Sequence, residues 1–253
     1  MSDLINIDLS GRSAVVTGGV SGIGLACAQA LARVGAHVTI LDLDEGKAQA
    51  AAEPLGGRGI GADLSDPEVL AGLDVQGDII INNAGFQKVS PVHEFDPNVF
   101  VAIQRVMVEA PFRLIRASLP RMYEQQWGRI INISSAHGLR ASAFKVAYVT
   151  AKHGLEGMSK VVALEGAPHG VTSNTINPGY VRTPLVEAQI ADQAKTHGMS
   201  ESEVVEKVML YRMARKTMVE PFEVADQALF LCSDSAVSIT GTSHSMDGGW
   251  TAS

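Results

Sequence analysis

Two cysteines in 253 residues, no cluster of basic side chains and no long apolar run are the first facts of this chain, and each shortage removes a class of explanation. Cys27 and Cys232 stand near opposite ends, inside apolar segments, so both read as reduced core residues. With 20 Lys and Arg against 27 Asp and Glu the formal charge is −7, and nothing concentrates the positive residues. Nucleic acid and anionic membrane surfaces are therefore excluded as partners, and a small molecule is favoured. Nowhere is the chain apolar for the roughly 18 residues that a membrane helix needs. The stretch Met1 to Arg12 lacks the basic and apolar regions of an export signal, which predicts a cytoplasmic protein. No set of metal ligands is assigned.

What the chain does have is alternation. Its 46% hydrophobic and 19% charged residues suit one α/β domain spanning 1–253. Runs rich in Val and Ile predict strands at Ser13 to Thr17, Ala36 to Leu41, Gly59 to Ala62, Asp78 to Asn82, Arg129 to Ile133 and Val171 to Ile176. They lack strict alternation of apolar and polar residues, as strands of a parallel sheet covered on both faces do. Helical patterns lie between them: Gly22 to Val34, Glu45 to Glu53, Pro67 to Leu73, Pro97 to Gln126 and Ala147 to Ala167. Pro120 is expected to kink or split the fourth of these. Pro221 opens a last helix to Cys232, and Thr242 to Met246 offers a closing strand. Right-handed crossovers then give a doubly wound parallel sheet. The long segment after the sixth strand, with an amphipathic stretch from Glu201 to Tyr211, predicts a substrate lid at about 183–216.

Two constellations carry chemistry. The run Thr17-Gly18-Gly19-Val20-Ser21-Gly22-Ile23-Gly24 follows the first strand and opens the first helix. There Gly18 permits a tight turn, Gly22 lets backbone approach a pyrophosphate, and Gly24 allows helix to pack closely on strand. Asp42 ends the second strand, where a carboxylate accepts hydrogen bonds from an adenosine ribose and repels a 2′-phosphate. Gly19, Val20 and Leu43 nearby supply no cation, so NAD is favoured over NADP. Asp42 could instead cap a helix, and Asp63 could either reach an adenine or cap the next helix. The second constellation is Tyr148 and Lys152, one turn apart on a helix. An ammonium about 4 Å from the phenol at a dielectric near 20 is worth about 4 kcal/mol, enough to draw a tyrosine pKa from about 10 towards 7 and make it a base.

The glycine run, Asn82-Asn83-Ala84-Gly85, Ser135, Tyr148 with Lys152, and Pro178-Gly179 stand in the order and spacing of the short-chain dehydrogenase/reductase family, and the resemblance covers nearly the whole chain. It implies a Rossmann fold, with Tyr148 as general base in alcohol oxidation and Lys152 lowering its pKa and holding the nicotinamide ribose. Ser135 would bond the reacting oxygen. Ser21 and Ile23 would join the glycines, Asn83 and Gly85 would line the adenosine side, and Pro178, Val181 and Thr183 would hold the carboxamide. Family members usually form tetramers through the two long helices flanking the fifth strand. One departure stands out: Met107 occupies the position where most members place an asparagine that anchors a water in a proton relay. Methionine holds no such water by a strong hydrogen bond, which also suits a weakly active, nucleotide-binding structural or regulatory oligomer.

Within the family, the segments around the site resemble those of bacterial D-3-hydroxybutyrate dehydrogenases, notably Ser135 to Leu139, Thr183 to Ile190 and Asp247 to Thr251. That resemblance implies a small hydroxy acid as substrate, with its carboxylate bound by Gln87, His137, Lys145 and Gln189. Another small alcohol is the alternative, since it would need neither Lys145 nor Gln189. Arg140 and Arg182 could serve the carboxylate or exposed salt bridges. Trp250 could fold over a neighbouring subunit's site or pack at its own end of the chain.

Overall fold

The runs of branched aliphatic residues all enter one parallel sheet. In the computed structural model, which describes residues 7–184, 186, 187, 190, 194 and 198–252, the strands are β1 (Ser13–Thr17), β2 (His37–Asp42), β3 (Arg58–Gly61), β4 (Ile79–Asn82), β5 (Gly128–Ile133), β6 (Val171–Pro178) and β7 (Ser243–Met246). Their order is β3-β2-β1-β4-β5-β6-β7, and every pairing is parallel. The chain steps outward from β1 to β3 and returns beside β1 at β4. This reversal opens a crevice at the carboxyl ends of the strands. The doubly wound parallel sheet is as the sequence predicts, with strand edges differing by one or two residues.

Alternation across each strand sends side chains to two cores. Ile79, Ile81, Ile131 and Ile133 pack with Ala28 and Leu31 of α1 (Gly22–Arg33) and with Ala225 and Leu231 of the last helix, Pro221–Cys232. Ile80 and Ile130 face the other way, onto Leu114, Ile115 and Met122. Cys27 and Cys232 are free and buried in the first core, where burial pushes both thiols up to about 12. They are inert core residues, as predicted.

Helix starts follow local chemistry. Asp44 caps α2 (Glu45–Ala52) by accepting from the Lys47 amide, and Asp66 and Asp96 do the same for α3 (Pro67–Ala71) and α4 (Pro97–Gln104). In the last two the proline at the first helical position needs no hydrogen bond there. The helix is not split at Pro120. α5 (Ala110–Glu124) runs through it, because Pro120 and Arg116 both lie on the exposed face, where water can take the carbonyl that proline leaves unbonded. The irregularity falls earlier, at a π-helical turn over Arg105–Glu109 between α4 and α5. α6 (Val146–Gly166) follows β5, and a short helix, α7 (Glu201–Val204), leads into a second π turn, Val205–Met209. The last helix is α8.

Asp78, at the entry to β4, ties three elements together. Its carboxylate accepts from the Ser13 amide (2.8 Å) and hydroxyl (2.9 Å) of β1, and from Arg121 (3.0 Å) and Gln125 (2.6 Å) at the end of α5. Burial works to raise its pKa, but the hydrogen bonds from Ser13, Arg121 and Gln125 outweigh it and hold the carboxyl below 3.8. The stability this gives is fully present above that value and is lost as pH falls through the depressed pKa. Asp78→Ala strands the Ser13 amide beside an uncompensated arginine, and urea unfolding is expected to show a loss of roughly 3 kcal/mol; a loss under about 1 kcal/mol would contradict this role.

Candidate active site

At the carboxyl ends of β1, β2, β4, β5 and β6 a cavity of about 630 Å³ opens into the crevice. Its floor is the glycine turn. Gly18 and Gly22 hold left-handed backbone, at φ +64° and +54°. A Cβ on Gly24 would lie 2.2 Å from the Gly18 carbonyl and 2.6 Å from the Asn83 amide, so α1 can meet the turn only through glycine. The Asn83 side chain braces this turn, donating to the carbonyls of Thr17 (2.9 Å) and Gly18 (3.0 Å). Ser21 stands at the N-cap of α1 with its hydroxyl uncommitted to the helix, and Ser21, Gly22 and Ile23 line the cavity. Helix amides left open in this way attract a phosphate.

The carboxylates resolve two alternatives. Asp42 caps no helix. It accepts from the Val20 (3.3 Å) and Leu43 (2.9 Å) amides and faces the cavity, while the cap of α2 is Asp44. Asp63 likewise is not the cap of α3, which is Asp66; it is bonded to Ser65 at 2.7 and 2.8 Å and also lines the cavity. Both caps lie two or three residues later than the sequence alternatives place them. On the facing wall stand Pro178, Val181 and Thr183, and a Cβ on Gly22 would come within 3.0 Å of the Thr183 methyl.

At the inner end, Ser135 follows β5 in extended backbone, and its hydroxyl accepts from the His137 amide (3.1 Å). The Tyr148 side chain lines the same cavity, and the Lys152 ammonium lies 5.5 Å from the centre of the Tyr148 ring. Lys152 is buried and donates to the Ile133 carbonyl at 2.6 Å. Burial draws its pKa down to about 8, against a pull upward from Glu156. The expected lowering of the phenol is not seen in the protein alone. Burial dominates and raises Tyr148, Ser135 lowers it in part, and Tyr180 adds to the rise. The physical reason is that the ammonium is turned to the Ile133 carbonyl and not to the phenol oxygen. Met107 sits buried in the π turn, lines the cavity and packs on Gly85, whose Cβ would meet its sulfur at 3.2 Å.

Beyond the triad, Gln87, His137 and Lys145 converge on the same cavity, and Gln189 lies outside the described residues. Burial, then the charges of Lys145, Arg212 and His153, push His137 down to about 4, so it is a neutral imidazole at physiological pH. Its Nε2 pairs with the Ser142 hydroxyl at 3.0 Å, and its ring stands edge-on to Trp250 at 5.0 Å. Burial also lowers Lys145. Arg182 is spent on exposed ion pairs with Glu187 and Glu220, each at 2.9 Å, and Arg140 donates to the Thr251 carbonyl at 3.1 Å. Trp250 packs in its own chain, stacked on Tyr180 with ring centres 6.4 Å apart and planes within 6°. Tyr180 lines the cavity and was not singled out from sequence; its position directly after Pro178-Gly179 is the signal that could have marked it.

The fold, the glycine turn and the Ser-Tyr-Lys cluster define a nicotinamide-dependent oxidoreductase, and the chain belongs to the short-chain dehydrogenase/reductase family. Residues 18–251 match the family profile described as enoyl-(acyl carrier protein) reductase. Among its relatives are the D-beta-hydroxybutyrate dehydrogenases of Rhizobium meliloti (strain 1021), 44% identical over 95% of this chain and 99% of that one, and of Cupriavidus necator (strain ATCC 17699 / DSM 428 / KCTC 22496 / NCIMB 10442 / H16 / Stanier 337), 41% identical over 96% and 99%. Solved structures agree: L-sorbose reductase from Gluconobacter frateurii, complexed with NADPH and L-sorbose, superposes with a TM-score of 0.90 at 28% identity over 98% of this chain and 99% of that one.

The residues present fit such a cofactor, since the start of α1 offers amides with no side-chain cap, and Gly22 keeps clear a space that a Cβ would narrow against Thr183. Gly24→Ala is expected to force the turn apart and weaken NADH binding, measured by fluorescence titration, by about tenfold or more, the cost of one overpacked contact. Unchanged affinity would contradict the close packing of α1 on the turn.

Proposed function

We propose that the protein is an NAD-dependent dehydrogenase that interconverts D-3-hydroxybutyrate and acetoacetate. The observation that carries the substrate is Lys145, a half-buried cation three residues before the base, sharing the cavity with Gln87 and neutral His137. A small carboxylate needs a cation and donors at that distance from the reacting carbon. The 44% and 41% identical relatives support the same class of substrate. Asp42, with no cation beside it, supports NAD over NADP.

When bound, the nicotinamide supplies the hydride acceptor or donor. The chain's own residues do the rest. In oxidation Tyr148 takes the hydroxyl proton of the substrate at its phenol oxygen, and in reduction it returns that proton to the carbonyl. Ser135 bonds the same oxygen and stabilises the charge that develops there. The Lys152 ammonium favours the phenolate over the phenol, so Tyr148 acts as a base only while Lys152 is protonated. Lys145, His137 and Gln87 hold the carboxylate, and the Tyr180–Trp250 stack closes the far side to longer chains.

The chain would work as one domain, residues 1–253, with the segment at about 183–216 as a lid. Val186, Val204, Met209 and Met213 of that segment pack with Ala136, Met218 and Trp250 in a small apolar cluster, which suits an element that moves as a unit. A cytoplasmic homotetramer built on α5 and α6 would cover Phe112, Val161 and Leu164, which those helices leave exposed.

Initial rates of NADH formation test the substrate, with D-3-hydroxybutyrate, its L-enantiomer and a neutral secondary alcohol run in parallel. D-specific turnover with NAD is expected. Lys145→Ala should raise KM for D-3-hydroxybutyrate about tenfold to a hundredfold, the worth of one charge-assisted contact, with a smaller effect on kcat. Turnover of the neutral alcohol alone, or no response to Lys145→Ala, would overturn the substrate.

A further inference from the structure

Among the buried ionisable groups to which the reaction as described gives no role, Glu156 stands one helical turn from Lys152. Glu156 is 6% exposed on α6, and its carboxylate has no cation in ion-pair contact among the described residues. Three neutral donors hold it instead: the Asn177 amide at 2.6 Å on one oxygen, and the hydroxyls of Thr175 (2.8 Å) and Ser243 (2.7 Å) on the other. Thr175 and Asn177 lie two apart on β6 and so share one face, and Ser243 comes from the neighbouring β7. A carboxylate in such a place is costly to fold around, and an apolar side chain of similar size would pack at less expense.

Two connections lead from this carboxylate to the reaction. The Asn177 amide that binds Glu156 also donates to the backbone carbonyl of Ser135 at 3.0 Å. A Cβ on Gly138 would lie 2.8 Å from a Glu156 oxygen, so the loop carrying Ser135 and His137 rests on the carboxylate through a glycine. The second connection is charge. Lys152 stands four residues earlier on α6, on the same helical face, and burial strips both groups of water that would screen them.

We propose that Glu156 is a positioning residue of the dehydrogenase reaction, fixing the Ser135 loop through Asn177 and Gly138 and holding the Lys152 ammonium in its protonated, working form. The assignment rests on the reading of Lys152 and Tyr148 as the proton-transfer pair. Burial draws Lys152 down and Glu156 draws it up. The other titratable groups nearby are Tyr148 on α6 itself and His137 on the Ser135 loop, the latter held neutral by burial. β6 and β7 contribute hydroxyls and an amide only.

The sign follows. Removing the negative charge lowers the Lys152 pKa, so the ammonium is lost at a lower pH and alkaline inactivation begins earlier. The test is the pH profile of kcat/KM for D-3-hydroxybutyrate oxidation in wild type and Glu156→Gln, a variant that keeps the shape and can bond the same partners. The alkaline limb is expected to move to lower pH by on the order of one unit, with KM for the substrate little changed. If Glu156→Gln does not fold, Glu156→Met carries the same reading. An alkaline limb that stays in place, in a variant of lowered Tm or not, overturns the assignment, as does failure of both variants to fold, which would make Glu156 a structural residue alone. Should the wild-type protein show no turnover while binding NADH, the dehydrogenase reading itself falls and takes this one with it.

Discussion

Everything at the site depends on the common register of β1, β4, β5 and β6. Val16 pairs with Ile81, Asn82 with Asn132, and Asn132 with Thr175, so neighbouring strands run side by side and end at one edge of the sheet. That edge gathers Gly18, Asp42, Asn83, Ser135 and Pro178 around a single cavity although they span 160 residues of sequence. Parallel pairing imposes this convergence, since each strand can be followed only by a crossover that returns to the opposite edge. Chemistry is then a matter of which side chains the strand ends and the following turns present. α6 brings Tyr148 and Lys152 to the same edge, packed against β6.

Burial is the second governing quantity, and it acts against catalysis unless compensated. It raises Tyr148 and lowers Lys152, His137 and Lys145, each towards the neutral form. For His137 that outcome leaves a neutral imidazole that can both donate and accept in the cavity. For Lys152 and Tyr148 it is not useful, because the proposed proton transfer needs an ammonium and a phenolate. The site therefore needs negative charge near Lys152 and positive charge near Tyr148. Glu156 offers the first.

Much of this was legible in the sequence, and the parts that were not have physical reasons. Strands rich in Val and Ile announce their burial, and glycines at Gly18, Gly22 and Gly24 announce a turn that no Cβ can enter. Tyr148 and Lys152 are separated by one helical turn, so local geometry alone brings them together. Pro120 misled because its effect depends on which helix face it occupies, and that is a tertiary fact. The π turn at Arg105–Glu109 has no composition of its own. The caps at Asp44 and Asp66 were displaced from Asp42 and Asp63 by two or three residues, within the reach of similar side chains. Nothing in the sequence marks Glu156, since the donors that surround it come from β6 and β7. The direction of the Tyr148 shift was missed because an ammonium four residues away was weighed without its desolvation or its bond to Ile133.

The most direct test of the account is Tyr148→Phe, which removes one oxygen from the cavity and leaves its walls intact. NADH affinity should remain within a few-fold of wild type, while turnover of D-3-hydroxybutyrate should fall by at least about a thousandfold, the scale of a lost general base. A variant that retained turnover within about tenfold would contradict the central claim that the Tyr148 phenol carries the proton.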